Sequence, residues 1–180
     1  MRALALVLAF VLTGWCYSSA WAGCKDDLGT ANELGDGSFC VLGFCLYNAQ
    51  LWSSAATLSS ESPFALVIEY RRSFTKTRLA DTGLAEMERL AATPLSASIR
   101  DRWRADMLTA FVDVQSGDTL CGAFMPGRGV RFYANDRLTA QIDDVAFARA
   151  FFAIWLDPRT RAPQLRRHLL GAAAANDAFR

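Results

Sequence analysis

Few side chains in this chain are suited to chemistry. His168 is the one histidine, in Arg166-Arg167-His168. A catalytic triad needs its imidazole beside an activated Ser or Cys, and no nucleophile-elbow pattern occurs. A cation near the C-terminal end of a short helix is the simpler account of it. One histidine and scattered cysteines give no metal-ligand spacing. No metal site, catalytic residue or cofactor is therefore expected. Pro126-Gly127-Arg128-Gly129 has the glycines of an anion cradle but reads first as a hairpin turn. Arg159, Arg161, Arg166 and Arg167 form a basic cluster. Its first reading is capping and solvated charge beside Asp157, its second an anionic lipid surface. Tyr47 and Tyr70 lie in strand-like stretches. They are candidates to line a ligand pocket, and fit equally a core in which their hydroxyls are satisfied.

The cysteines bear on compartment and on covalent bracing. Arg2, the apolar run Ala3 to Leu12 and Ala20-Trp21-Ala22 form the three parts of an export signal over residues 1–22, with cleavage after Ala22. The run is too short to span a bilayer, which takes about 20 residues. Trp21-Ala22-Gly23-Cys24 resembles a lipobox with Trp in place of Leu, so lipid anchoring at Cys24 is a second reading. Of the five cysteines, Cys16 leaves with the signal, and Cys24, Cys40, Cys45 and Cys121 remain. In a periplasmic or secreted chain they point to disulfides. Leu42-Gly43 suits the centre of a two-residue hairpin turn. That register sets Val41 against Phe44 and Cys40 against Cys45, in a pair whose Cα atoms approach to about 4.5 Å. A Cys40–Cys45 bridge is then within reach. A bulged single strand at Gly43, with the two thiols apart, fits the same residues.

Lys and Arg number 19 against 18 Asp and Glu. This near-neutral balance lacks the basic excess of a nucleic-acid binder. No later apolar run is long enough to span a membrane. Residues 23–171 read as one domain, and residues 172–180 as a fraying tail. Strands are expected at Ser38–Val41, Phe44–Trp52, Phe64–Tyr70, Thr119–Phe124, Val130–Ala134 and Leu138–Ile142. Gly35-Asp36-Gly37, Ser116-Gly117-Asp118 and Asn135-Asp136 carry turn composition. In the third strand Phe64, Leu66, Ile68 and Tyr70 share one face, and Ala65, Val67, Glu69 and Arg71 the other.

A helix is expected from Thr75 to Ala92, with Gly83 a possible break, and another from Ser96 or Ser98 to Phe111. The most apolar helix runs from Val145 to Leu156. Asp143 or Asp144 caps it and Asp157-Pro158 ends it. Its stripe of Phe147, Phe151, Ile154 and Trp155, widened by Phe152 and Leu156, calls for a large apolar surface such as a sheet. Pro163 opens a last short helix and Gly171 ends it. Consecutive hairpins with a helical block between them make an α+β layout: a large antiparallel sheet with helices layered on one face.

Several segments resemble chalcone-isomerase-like proteins of bacteria. They are Gly43-Phe44-x-Leu46-Tyr47-Asn48-Ala49-x-Leu51-Trp52, Phe111-x-Asp113-Val114-x-x-Gly117-Asp118 and Pro126-Gly127-x-Gly129-Val130-x-Phe132-Tyr133. Phe147-Ala148-x-Ala150-Phe151-Phe152-x-Ile154-Trp155-Leu156 is the strongest, followed by Arg161-Ala162-Pro163-x-Leu165-Arg166 and Leu169-Leu170-Gly171. The resemblance implies the open-faced sandwich of that family. Its plant isomerases close a chalcone ring with an Arg on an early strand and a Thr on the long strand. Here Tyr47 takes the Thr position, and the Arg position falls near Leu34-Gly35, where no basic residue stands. Fatty-acid-binding relatives hold the carboxylate with an Arg–Tyr pair. Tyr47 suits that Tyr, and Arg71, Arg72 or Arg131 at strand ends are candidates for the Arg.

Fold alone does not fix function. The expectation is an exported, non-catalytic binder of a fatty acid or other small apolar ligand, with Tyr47, Tyr70, Arg71 and Arg131 as ligand contacts. The alternatives are an isomerase or intramolecular lyase, and a cell-envelope interaction protein without a small ligand.

Overall fold

The computed structural model describes residues 23–171. The expected export signal (1–22) and tail (172–180) lie outside the described residues.

The described residues form a six-stranded sheet in sequence order: β1 Asn32–Val41, β2 Phe44–Ser53, β3 Phe64–Tyr70, β4 Thr119–Met125, β5 Gly129–Ala134 and β6 Arg137–Ile142. Every neighbouring pair is antiparallel. The helices are α1 Lys76–Leu90, α2 Ala97–Ala110, α3 Val145–Leu156 and α4 Pro163–Leu170. None is long and apolar enough to cross a membrane among the described residues. The architecture is the expected α+β open sandwich.

The helix starts follow from short side chains that accept the first free backbone N–H groups. Thr75 accepts from Arg78 N at 3.2 Å, Ser96 from Ile99 N at 3.3 Å, and Asp144 from Phe147 N at 2.9 Å. Pro163 takes the first turn of α4, where a missing N–H costs nothing. Burial raises the Asp144 carboxyl, but the Phe147 N–H and the Trp103 indole outweigh it, and the pKa lies below the usual carboxylate range.

One face of the sheet carries the main core. Leu51, Phe64, Leu66, Phe124, Val130 and Phe132 are buried there. Helix α3 lies on it: Phe152 meets Phe64 and Phe124 edge-on, at 4.8 Å and 5.9 Å between ring centroids, and Phe151 meets Phe132 at 5.0 Å. Edge-to-face rings add about 0.5–1.5 kcal/mol per pair beyond their burial. Gly122 makes room for this, since a Cβ there would stand 3.1 Å from Phe152 Cζ.

Two expectations about glycine are corrected. Gly35-Asp36-Gly37 is not a turn but the middle of β1, which begins at Asn32. Helix α4 crosses β1 so closely that a Cβ on Gly35 would run into the His168 carbonyl oxygen and stand 2.9 Å from that of Leu169. The glycines are there for close approach. Gly83 does not break α1, which is continuous. It brings α1 close to α2, where a Cβ would lie 3.2 Å from Met107 Sδ.

The opposite face is covered in part by residues 24–28. Cys24 is bonded to Cys121 on β4, Leu28 is buried, and Lys25 Nζ lies 3.8 Å from the Trp52 ring centroid. The Cys24 thiol is thus spent in a disulfide. Cys40 is bonded to Cys45 with Cα atoms 3.8 Å apart, across the Leu42-Gly43 turn. Two disulfides fit an oxidising, extracytoplasmic environment.

Candidate functional site

Between the sheet and the helices lies a cavity of about 370 Å³, within the usual size of small-ligand pockets. Its floor includes Leu66, Ile68, Leu120 and Phe132, and its roof Leu79 of α1 with Ile154 and Trp155 of α3. Tyr47 and Tyr70 also line it.

Strand register brings these two together. Tyr47 on β2 is directly opposite Tyr70 on β3, with ring centroids 6.3 Å apart. The register of β1 against β2 shifts between Phe39 and Cys40, leaving Leu46 as an extra residue. Such a bulge re-aims neighbouring side chains. Phe39 then stacks on Tyr47 at 5.3 Å. Tyr70 is fixed at the end of β3 by its N–H to Asp118 O (2.9 Å) and by Gly117 N to its carbonyl (2.8 Å). Phe74 is held by a reciprocal backbone pair with Val114, both bonds at 2.9 Å, and closes that corner.

The Trp155 indole donates to the Tyr47 hydroxyl oxygen at 3.0 Å. That bond engages a lone pair and leaves the Tyr47 O–H free to donate. Tyr70 is 8% exposed, and its hydroxyl has no hydrogen-bond partner among the described residues. Burial pushes the Tyr47 pKa up to about 12, against the lowering effect of Trp155. Burial, and then the neighbouring Tyr47, pushes Tyr70 higher still. Both phenols stay neutral at physiological pH and offer O–H donors inside an apolar cavity.

The exposed lining residues Arg78, Thr82 and Arg161 mark the mouth. Glu86 sits among them, 2.7 Å from Arg89 and 3.1 Å from Arg161. Arg78 has no side-chain ion pair or hydrogen bond among the described residues.

Arg71 and Arg131 are not beside the tyrosines. Side chains alternate along a strand, so the residue after inward Tyr70 points outward, as does Arg131 between inward Val130 and Phe132. With its amide turned to satisfy both neighbours, Asn48 accepts from Arg71 Nη2 at 2.8 Å. Arg131 lies 2.8 Å from Asp27, whose other oxygen accepts from the Tyr133 hydroxyl at 2.6 Å. That cluster anchors the N-terminal segment. The basic cluster near the C-terminus is partly spent on backbone: Arg159 donates to Leu90 O and Arg166 to Leu156 O, both at 2.6 Å. Pro126-Gly127-Arg128 is the β4–β5 turn, and Gly129 opens β5. No cluster suited to a metal ion occurs among the described residues.

Arg78 and the Trp155–Tyr47 bond went unread in the sequence. Trp155 carried only the signal of an apolar stripe, and Arg78 that of a charged helix face.

A family model described as chalcone isomerase-like matches residues 39–171. Among solved structures, a fatty-acid binding protein of Arabidopsis thaliana is similar in fold, with a TM-score of 0.62 at 10% identity. The match covers 84% of this chain and 92% of that one. No curated protein matches the sequence.

Proposed function

This chain belongs to the chalcone isomerase-like family, and on that premise we propose that it is an exported binding protein for an acyl or other apolar amphiphile. The observation that carries this reading is a mostly apolar cavity with two neutral tyrosine O–H donors not spent on protein acceptors. An acyl tail occupies the floor formed by Leu66, Ile68 and Phe132. The polar end accepts from Tyr47 and Tyr70, or reaches the mouth and pairs with Arg78. The solved Arabidopsis thaliana neighbour is itself described as a fatty-acid binding protein. The two hydroxyls reach the cavity with an O–H not given to a protein acceptor, so a ligand oxygen that accepts from them is favoured over a plain hydrocarbon. Arg71 and Arg131 take no part in this reading, because they face the other side of the sheet.

Ring closure is less well supported. The place of the isomerase arginine, near Gly35, is filled by α4. Burial favours the neutral phenol of Tyr47 over the phenolate a base would need. Native mass spectrometry of protein purified after export tests the proposal. A co-purified mass of an acyl compound, lost on Tyr47→Phe/Tyr70→Phe substitution, is expected. Turnover of a chalcone, or a cavity that stays empty in the presence of fatty acids, contradicts it.

A further inference from the structure

The β1–β2 hairpin ends in apolar side chains that the fold does not bury. Leu42 is 93% exposed, Phe44 63% and Val41 45%. Leu42 has φ +50°, a left-handed conformation that side chains with a branched body adopt at a cost. In the β5–β6 turn the same chain meets this demand with Asn135 and Asp136, at φ +47° and +61°, residue types that tolerate it. A leucine at position 42 works against its own backbone and gains no burial. The Cys40–Cys45 bond closes the strand pair immediately behind it, so the tip keeps its shape without a core. The Arg72 guanidinium lies 5.8 Å from the Phe44 ring centroid, and residues 40–45 contain no acidic side chain. Phe39 and Leu46, flanking the disulfide, and Phe74, two residues beyond Arg72, all line the cavity. The tip therefore adjoins the cavity wall, while Val41, Leu42 and Phe44 themselves stand outside its lining.

We propose that this hairpin tip is a membrane-docking finger. Val41, Leu42 and Phe44 enter the acyl layer of an anionic bilayer, while Arg72 stays among the headgroup phosphates, and the cavity is presented to lipid. Apolar contact and cation attraction are the two components of interfacial binding. A second copy of the chain fits less well: three side chains fall far short of the roughly 800 Å² per partner of a stable interface, and Arg72 would face its own like. The purpose of docking rests on the acyl-ligand reading, but docking itself is read without any cavity ligand.

The test is flotation of the protein purified after export, with vesicles of phosphatidylcholine alone and mixed with phosphatidylglycerol. The parent chain is expected to float with the anionic vesicles. Leu42→Asn/Phe44→Ser should lower the vesicle-bound to free ratio at least about tenfold, and Arg72→Gln should lower it on anionic vesicles only. Leu42→Asn alone should keep or raise the melting temperature, since Asn suits the turn, and should leave fatty-acid binding without vesicles unchanged. Flotation equal in parent and variants overturns the proposal, as does no flotation of the parent. So does a concentration-dependent dimer that the same substitutions abolish, which assigns the tip to self-association. Failure of fatty-acid binding with flotation intact overturns the ligand reading and leaves the finger.

Discussion

Gly35→Ala sets two effects of opposite sign against each other. Gly35 does not have positive φ, so alanine fits its backbone and, by restricting the unfolded chain, should stabilise by about 0.4–1 kcal/mol. Against this stands the new methyl group, which meets the His168 carbonyl and lies 2.9 Å from the Leu169 oxygen. These are backbone atoms and cannot rotate away. To restore ordinary contact, α4 must withdraw by well over an ångström from a close-packed core, and overpacking of this kind costs about 1–3 kcal/mol. Complete undocking of α4 bounds the loss, since Leu165, Leu169 and Leu170 each contribute about 1.5–3 kcal/mol by burial. The net expectation is destabilisation by about 1–2 kcal/mol. Gly37→Ala should cost less, because its Cβ meets the end of a flexible side chain, Leu165 Cδ1, at 2.9 Å. Urea denaturation with a constant m-value measures both. A neutral or stabilising Gly35→Ala would refute the claim that β1 is glycine-rich to admit α4. It would also reopen the position for the arginine of the isomerases.

The two disulfides should differ in worth. Replacing Cys24 and Cys121 by serine opens a loop with a sequence separation of 97 and should cost about 2–5 kcal/mol. Replacing Cys40 and Cys45, separated by 5, should cost clearly less; thermal melts of the two variants compare them. Tyr47 ionises at about 12 in the folded chain against about 10 when unfolded. The folded state therefore holds the proton through that window. The associated stability is fully present below pH ~10 and is lost as pH rises through ~12, by up to about 2–3 kcal/mol. Tyr47→Phe should flatten part of that fall in urea titrations at alkaline pH, and an unchanged slope contradicts the burial of the phenol.

Much of the sheet and α3 could be read from the chain because local and tertiary demands agree there. Asp144 caps, Asp157-Pro158 stops, and the intervening aromatics face the sheet. Asn135-Asp136 and Gly43 marked their turns for the same reason: few residue types accept positive φ, and the flanking runs alternate. The start of β1 was hidden because its glycines answer to α4, far along the chain, and their local signal is that of a turn. Gly83 misled in the same way. The face of Tyr70 followed from strand alternation and Tyr47 entered through the resemblance, but their pairing across β2 and β3 is a matter of register. The same alternation, carried one residue past Tyr70, already set Arg71 on the other face; what the sequence lacked was any basic residue on the inner one. The mouth cation Arg78 comes from a helix whose rotation over the sheet only tertiary packing defines.

The central claim is that Tyr47 and Tyr70 offer their O–H groups to a ligand's polar end inside an apolar cavity. Titration of the protein with a long-chain fatty acid, compared with the alkane of the same length that lacks the carboxyl group, tests it most directly. Saturable one-to-one binding of the fatty acid is expected, weakened by about tenfold or more in Tyr47→Phe/Tyr70→Phe, with little change for the alkane. Equal affinity for the fatty acid in parent and double variant would contradict it.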